Sequence, residues 1–217
     1  MDKLRLRFEK TGRAVYISHL DLMAMMQRAF ARAELDLKYS EGFNPHPLIS
    51  ILLPLSVGTA SVCELMDFRL RKDVPPGEIP ERLTAVLPEG IRVLEAYPAE
   101  RKSAQLKWLD IDGALEYDRG APETGELEAF FLQPELVIEK KTKRGIGQTD
   151  IRPAISRLTV RAEDETLRLS ARISAQEPTL NPELLISALR QLRPDLQPDF
   201  AEFTRLETYD AEMRVYR

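Results

Sequence analysis

His19 and His46 are the only imidazoles of the chain, and both lie in its first quarter beside turn-like segments. Asp21 follows the first histidine closely, and Glu41 precedes the second. Imidazole and carboxylate groups suit general acid–base catalysis and metal binding. If the two segments converge, His19 and His46 can act as acid and base in RNA cleavage or modification. The alternative is structural, with His19 ordering a helix start and His46 bonding to loop backbone. Without a third ligand we predict no metal site.

The second candidate is the loop around His46, residues 40–47, which reads Ser-Glu-Gly-Phe-Asn-Pro-His-Pro. Gly42 allows a positive φ, and the two prolines fix the backbone on either side of the histidine. We therefore expect a rigid loop that presents Phe43 and Asn44 to a substrate, with the phenyl ring available for stacking. The alternative is that Phe43 anchors the loop to the hydrophobic core.

The third candidate is a basic segment in the second half of the chain. Clustered Lys and Arg side chains neutralise phosphates, and glycines let a phosphate approach the backbone. We therefore predict contacts with RNA, and a solvated hairpin whose charges serve solubility is an equal alternative. The basic residues, interspersed with Gly145 and Gly147, are Lys140, Lys141, Lys143, Arg144 and Arg152.

Composition excludes several classes of protein. Hydrophobic residues make up 43% of the 217 residues and charged residues 30%, which is typical of a folded chain. The longest apolar stretch, residues 48–57, is too short to span a membrane, and the start of the chain has no apolar signal-peptide region. Cys63 is the only cysteine, which excludes an internal disulfide and a multi-cysteine zinc or iron–sulfur site. We expect a cytoplasmic protein without membrane association or a cofactor of its own, in which Cys63 is a small buried residue.

The net charge of −4 conceals two blocks of opposite sign. Residues 110–135 hold eight acids and one base, whereas residues 138–172 hold nine bases and five acids. The basic block agrees with a polyanionic ligand. The acidic block supports another hypothesis, a purely structural interaction module that docks a basic partner.

Hydrophobic periodicity predicts an α+β fold. Alternation at Leu4, Leu6 and Phe8 indicates a half-buried strand, and Ser18 with Asp21 forms a Ser-x-x-Asp pattern that begins a helix. We predict tandem ferredoxin-like units with mainly antiparallel sheets, one over residues 1–100 and one over residues 101–217. The predicted strands are 4–8, 37–40, 48–55, 64–71, 91–97, 106–117, 136–141, 155–162, 167–175 and 206–216, and the helices begin near residues 19, 79, 123 and 182.

Several of these segments also carry a family resemblance. Residues 16–22, Arg28-Ala29, residues 39–47, and residues 53–58 with Glu64 resemble the radical-SAM-linked family. A looser likeness extends through residues 140–145 and 150–153. The resemblance implies a partnership with a radical SAM enzyme.

A radical SAM enzyme holds its four-iron cluster through three closely spaced cysteines, which a chain with one cysteine cannot provide. Radical chemistry would therefore belong to the partner. Our first hypothesis is an accessory subunit, without activity of its own, that binds RNA or another macromolecular substrate for that enzyme. A stand-alone RNA-cleaving or RNA-modifying enzyme that uses His19 and His46 is the alternative, beside the interaction module above.

Overall fold

The computed structural model describes residues 3–142 and 145–217 of the chain. These residues divide into two compact units. The first unit ends at Gln105 and includes Arg217, and the second spans Leu106–Tyr216. None of the helices in the described ranges is long and apolar enough to cross a membrane.

The first unit has a ferredoxin-like order of elements. Its strands lie in the order β4-β1-β3-β2, and each neighbouring pair is antiparallel. Short 3-10 turns at Gly12–Tyr16, Pro76–Glu78 and Ser103–Gln105 complete the unit. The elements are β1 (Leu4–Lys10), α1 (His19–Arg32), β2 (Ile49–Ile51), β3 (Ala60–Phe68), α2 (Ile79–Thr84) and β4 (Ile91–Pro98).

Side-chain alternation explains how this sheet is layered. Leu6 and Phe8 of β1 are fully buried against the helices, and each contributes roughly 2 kcal/mol through burial of apolar surface. Phe30 of α1 packs against Phe68 of β3 with ring centroids 5.0 Å apart. The face opposite the helices carries polar side chains such as Arg5.

The start of α1 follows the predicted capping pattern. The hydroxyl of Ser18 accepts a hydrogen bond from the backbone N–H of Asp21 at 3.2 Å and donates one to its carboxylate at 2.7 Å. These bonds satisfy a backbone donor that a helix start otherwise leaves unpaired. The predicted helix start is confirmed.

The second unit repeats the same order around an inserted hairpin. Its sheet runs β10-β5-β9-β8, again antiparallel throughout. The hairpin of β6 and β7 forms a separate two-stranded sheet between α3 and β8. The elements are β5 (Trp108–Glu116), α3 (Thr124–Leu132), β6 (Val137–Thr142), β7 (Gly145–Asp150), β8 (Ile155–Glu163), β9 (Thr166–Ser174), α4 (Glu183–Leu192) and β10 (Phe200–Tyr209), with 3-10 turns at Arg152–Ala154 and Pro194–Leu196. The predicted α+β class with mainly antiparallel ferredoxin-like sheets is confirmed.

Four predicted strands are wrong in extent, and one of them, predicted over residues 64–71, runs over Ala60–Phe68 as β3. Residues 37–40 form only two isolated bridges, Leu37 to Leu70 and Tyr39 to Pro47. The strand expected over residues 48–55, buried on both faces, is reduced to the three residues of β2, since it pairs only with β3 and leaves Ser50 exposed. The last strand lies earlier than expected, because residues 210–216 turn back to bond with Thr208 and Asp210.

Candidate functional site

The loop of residues 40–47 is closed by hydrogen bonds between its two ends. Ser40 donates its backbone N–H to the carbonyl of His46 at 2.8 Å, and the His46 N–H donates to Ser40 Oγ at 3.1 Å. Ser40 Oγ also lies 2.9 Å from His46 Nδ1, and Tyr39 and Pro47 form a β-bridge just outside. Ser40 and His46 therefore close the loop, with the imidazole in contact with the Ser40 hydroxyl and not with loop backbone.

Phe43 stands fully exposed within this closed loop. Its relative exposure is 111%, and its neighbour Asn44 is exposed as well. Gly42 has a φ of +119°, a conformation that side-chain-bearing residues rarely adopt, with no atom within 4 Å of where its Cβ would lie. The alternative in which Phe43 anchors the loop to the core is wrong. The ring is instead fully accessible to solvent.

A cavity of about 520 Å³ lies between this loop and the polar face of the first sheet. We call it the β2–β3 cavity. Lys3 and Asp67 form an ion pair of 2.8 Å at its wall. Asp67 also accepts from the fully buried Arg5, at 2.6 Å from Nε and 3.2 Å from Nη2. The lining residues are Lys3, His46, Pro47, Leu48, Ile49, Ser50, Asp67, Phe68 and Arg69.

Sequence reasoning missed this cavity because its charged residues are distant in the chain. Leu4 pairs with Phe68 across β1 and β3, so the residues next to them, Lys3 and Arg69, come together at the end of the ladder. Alternation in residues 64–71 does place Asp67 and Arg69 on one face of a strand. Only the pairing of β1 with β3 shows what lies opposite them.

The two histidines differ in their surroundings. His19 is the exposed first residue of α1, next to the Ser18 cap, whereas His46 is bonded to Ser40. No hydrogen bond joins the two imidazoles in the described part of the chain. Residues 3–142 and 145–217 also contain no group of three or more His, Cys, Asp or Glu side chains arranged to hold a metal ion.

Cys63 lies in β3 and is buried, with 1% of its surface exposed. Its backbone N–H donates to Ser61 Oγ at 3.1 Å, and its sulfur lies 3.8 Å from the same oxygen. This confirms the prediction of a small buried residue.

The basic segment forms the β6–β7 hairpin. The carboxamide of Gln191 in α4 bonds both backbone groups of Glu139, accepting from its N–H at 2.8 Å and donating to its carbonyl at 3.0 Å. Asp150 Oδ1 accepts from the backbone N–H groups of Leu136 and Arg152 at the base of the hairpin. The insertion is therefore held at its base and, through Glu139, against α4 of its own unit.

The predicted phosphate contacts fall at different places on this hairpin. Lys140 is partly buried opposite Gly147, and Lys141 lies opposite Ile146. Arg152 donates from Nη1 to the carbonyl of Ile155 at 2.8 Å, so its guanidinium helps to hold the base of the hairpin. Lys143 and Arg144 lie outside the described residues.

Two acids of the acidic block, Asp110 and Asp112, are paired with arginines of the basic block. Asp110 of β5 accepts from Arg172 at 2.7 and 2.8 Å, from Arg157 at 2.9 Å and from the Tyr209 hydroxyl at 2.9 Å. Burial raises the pKa of the Asp110 carboxyl, but these hydrogen bonds and the two positive charges outweigh it. The pKa therefore lies below its usual value.

A second pair of the same kind lies further along the sheet. Asp112 accepts from Arg168 and from Ser170. The carboxylates of β5 thus neutralise arginines of β8 and β9, and this sheet face carries less free positive charge than the sequence suggests. The interaction module expected from the acidic block has fewer free acids to offer for the same reason.

A known protein family matches the first unit and most of the second. The sequence model of one protein family, described as uncharacterized protein conserved in bacteria, matches residues 3–182. The chain belongs to the DUF2344 family. The match includes the closed loop, the β2–β3 cavity and the basic hairpin, and it ends where α4 begins. No curated protein matches this DUF2344 sequence.

The fold of this DUF2344 protein resembles that of a solved structure. A chain from a Cbf5-Nop10-Gar1 complex superposes with a TM-score of 0.51 at 11% identity. The match covers 94% of this chain and 48% of that one, so this protein spans about half the length of its structural neighbour. An unknown protein from Galdieria sulphuraria also has 11% identity, with coverage of 94% and 98%, but its TM-score of 0.28 is too low to indicate a common fold. At such identities the likeness shows the fold alone.

Proposed function

We propose that this DUF2344 protein is an accessory subunit that binds RNA for a radical SAM enzyme and does not perform the chemistry itself. The observation that carries the proposal is the fully exposed Phe43 on a loop closed by Ser40 and His46. Exposing a whole phenyl ring to water is unfavourable, and nothing in the first unit packs against it. A base that stacks on the ring would bury that surface.

Rigidity makes this ring a better binding element. Stacking of a base on an aromatic side chain contributes about 1–3 kcal/mol. A loop that is already closed loses little conformational entropy on binding, so more of that energy appears as affinity. Asn44 lies beside the ring, where its amide can bond to a base edge or a ribose.

The hairpin supports the same ligand through charge. Residues 140–144 contain four bases, and Gly147 opposite Lys140 has open space where a Cβ would lie, which leaves room for a phosphate to approach the backbone. Such contacts neutralise phosphates without reading sequence. We expect the hairpin to contribute affinity and Phe43 to contribute contact with a base.

The partnership with a radical SAM enzyme rests on the resemblance of residues 16–22 and 39–47 to the radical-SAM-linked family. The single Cys63 is buried in β3, so this chain has no cysteine set for a cluster. The chemistry then has to come from a second protein that carries the cluster.

RNA binding is tested with purified protein and a fluorescein-labelled single-stranded RNA of mixed sequence. Binding is measured by fluorescence anisotropy at low salt. We expect saturable binding that Phe43→Ala weakens by about fivefold to a hundredfold, as the loss of one stacked base implies. Phe200→Ala, which removes a half-exposed ring from β10, is the matched control and should bind as the wild type does. Equal affinity of wild type and Phe43→Ala, or no binding at all, would refute RNA as the ligand.

The same RNA separates the accessory role from the enzyme alternative. RNA that is shortened or altered by the purified protein alone, and left intact by His19→Ala and His46→Ala, would replace the accessory role with an enzyme. For the partnership, the tagged protein is isolated from its own cells under anaerobic conditions, and the retained proteins are identified by mass spectrometry. Recovery of a radical SAM enzyme is expected, and its absence in both wild type and crosslinked samples would overturn that part of the proposal.

A further inference from the structure

The β2–β3 cavity combines a cationic wall with an apolar wall. Lys3, Arg69 and His46 supply nitrogen donors, and Pro47, Leu48 and Ile49 supply apolar surface. Its volume of about 520 Å³ lies within the range of small-molecule sites in proteins. The residues come from one unit, so the cavity is formed by the first unit alone.

The positive charge in this cavity is only partly neutralised. Asp67 is its one carboxylate, and two cations share it. Arg5 has no exposed surface and binds Asp67 through two nitrogens, while its Nη2 also donates to the carbonyl of Arg101 at 2.9 Å. Burial of a charge is unfavourable without a counter-charge, and Asp67 supplies one to Arg5. Lys3, whose side chain is 38% exposed, therefore shares its carboxylate with a buried arginine.

Arg69 adds a second cation on the same sheet face as Asp67, two residues further along. Both backbone polar groups of Arg69 are hydrogen-bonded. Its N–H donates to the carbonyl of Leu48 at 3.1 Å, and its carbonyl accepts from the N–H of Lys38 at 2.8 Å. Within residues 3–142 and 145–217 its guanidinium makes no hydrogen bond or ion pair, and the side chain lines the cavity. The His46 ring at the opposite side is held in place by Ser40, which fixes the position of a further polar group.

We propose that the β2–β3 cavity binds a small organic phosphate monoester. Arg69 and Lys3, which shares its carboxylate with Arg5, match the two negative charges of such a group, and an arginine fork with a lysine is the usual protein partner of phosphate oxygens. The apolar wall of Pro47, Leu48 and Ile49 suits the organic part of the ligand. This inference rests on the charges of the cavity and does not depend on RNA binding by Phe43.

Isothermal titration calorimetry with the full chain tests this site, with adenosine monophosphate, adenosine and inorganic phosphate as ligands. We expect adenosine monophosphate to bind and adenosine to bind at least about tenfold more weakly, because it lacks the charge-assisted bonds. Binding of inorganic phosphate as tightly as the nucleotide would restrict the site to the free anion and overturn the organic part of the proposal.

Two variants assign the binding to this cavity. Arg69→Gln and Lys3→Gln should each weaken binding of adenosine monophosphate by about tenfold or more. Arg71→Gln is the control, since its side chain is 65% exposed and pairs with Asp36 outside the cavity. Lys3→Gln leaves the pair of Arg5 with Asp67 intact and gives a second result if Arg69→Gln fails to fold. Wild-type affinity in both variants, or no saturable binding by any phosphate, would overturn the site.

Discussion

The hydroxyl of Ser40 contacts His46 at two points, accepting from its backbone N–H at 3.1 Å and lying 2.9 Å from its ring Nδ1. One short side chain therefore fixes both the backbone and the imidazole at the far end of an exposed loop. This brace, rather than core packing, holds Phe43 in place, because the ring itself has no contact with the core. It also places His46 at the edge of the β2–β3 cavity.

Replacement of Ser40 by alanine should loosen this loop without unfolding the protein. The variant loses both side-chain contacts and keeps the backbone bond from residue 40 to His46. A hydrogen bond contributes about 1 kcal/mol, so we expect amide exchange at His46 to accelerate about fivefold. The urea midpoint of unfolding should stay the same, because the loop is exposed.

Hydrogen–deuterium exchange measured by NMR resolves this effect at the level of single amides. Ser156→Ala, an exposed serine at the start of β8, is the control and should change neither quantity. Unchanged exchange at His46 in Ser40→Ala would mean that other contacts hold the loop closed.

Much of the fold follows from local sequence signals, and its exceptions have physical causes. Strand β1 and helix α1 have strong periodicity and a capping serine, so both appear where the sequence predicts them. The β7 strand was missed because Gly145 and Gly147 give it low intrinsic strand preference. It forms because β6 supplies the partner ladder, and Gln191 from a distant helix bonds the outer edge of β6. Contacts of that range are invisible to a periodicity argument.

Part of the candidate site can likewise be predicted from the sequence, and part of it cannot. The glycine and prolines of residues 40–47 predict a rigid loop, and the structure adds the role of Ser40. By contrast, the ion pairs of Asp67 and Asp110 depend on strand register, which a single sequence does not determine. Charge counts alone also overstate the basic face of the second unit, because Asp110 and Asp112 use several of its arginines.

Gly113 has no room for a side chain, because the ring of Phe203 packs over it. The two residues are cross-strand partners in β5 and β10, and a Cβ on Gly113 would lie 2.6 Å from Cε1 of Phe203. We expect Gly113→Ala to lower the free energy of unfolding by about 2 kcal/mol, as overpacking does in other cores. In a Phe203→Leu background the same substitution should cost less than about 0.5 kcal/mol, because the clash is gone.

Urea unfolding of the two single variants and the double variant measures this coupling. Gly125→Ala is the control, since that glycine lies in α3 with open space around it, and alanine there should stabilise the helix by up to about 1 kcal/mol. Additive effects of Gly113→Ala and Phe203→Leu would contradict the proposed clash.

Asp110 should make stability depend on pH in the acid range. Its pKa is lower in the folded protein than in the unfolded chain, so its contribution is present above the ordinary carboxyl pKa of about 3.9 and is lost as the pH falls through the folded value. Asp110→Asn should cost about 3 kcal/mol at pH 7, because Arg172 and Arg157 lose their counter-charge. The difference from wild type should shrink below about pH 4.

Thermal unfolding between pH 2 and pH 7 measures that difference. Asp118→Asn, at an exposed position beyond the end of β5, should follow the wild-type curve throughout. A constant gap between wild type and Asp110→Asn across the whole pH range would show that Asp110 stabilises the unit through its hydrogen bonds and not through its charge.

The basic hairpin gives the most quantitative prediction, because phosphate contacts have a defined dependence on salt. Each phosphate that a protein neutralises on a single strand releases counterions, and the logarithm of affinity falls by about 0.7 per contact with the logarithm of salt concentration. Combined replacement of Lys141, Lys143 and Arg144 by alanine should therefore reduce the slope by about two. All RNA sequences should be weakened alike, because phosphate contacts do not read bases.

The matched control removes the same number of charges elsewhere, in the variant Arg13→Ala, Lys72→Ala, Lys102→Ala, whose three side chains are exposed. Its slope in an anisotropy salt series should equal that of wild type, which separates local contact from the change in net charge. Phe43→Ala should lower affinity at every salt concentration and leave the slope unchanged, since stacking releases no counterions. A hairpin variant with the wild-type slope would remove phosphate contact from this element and leave its charges a role in solubility alone.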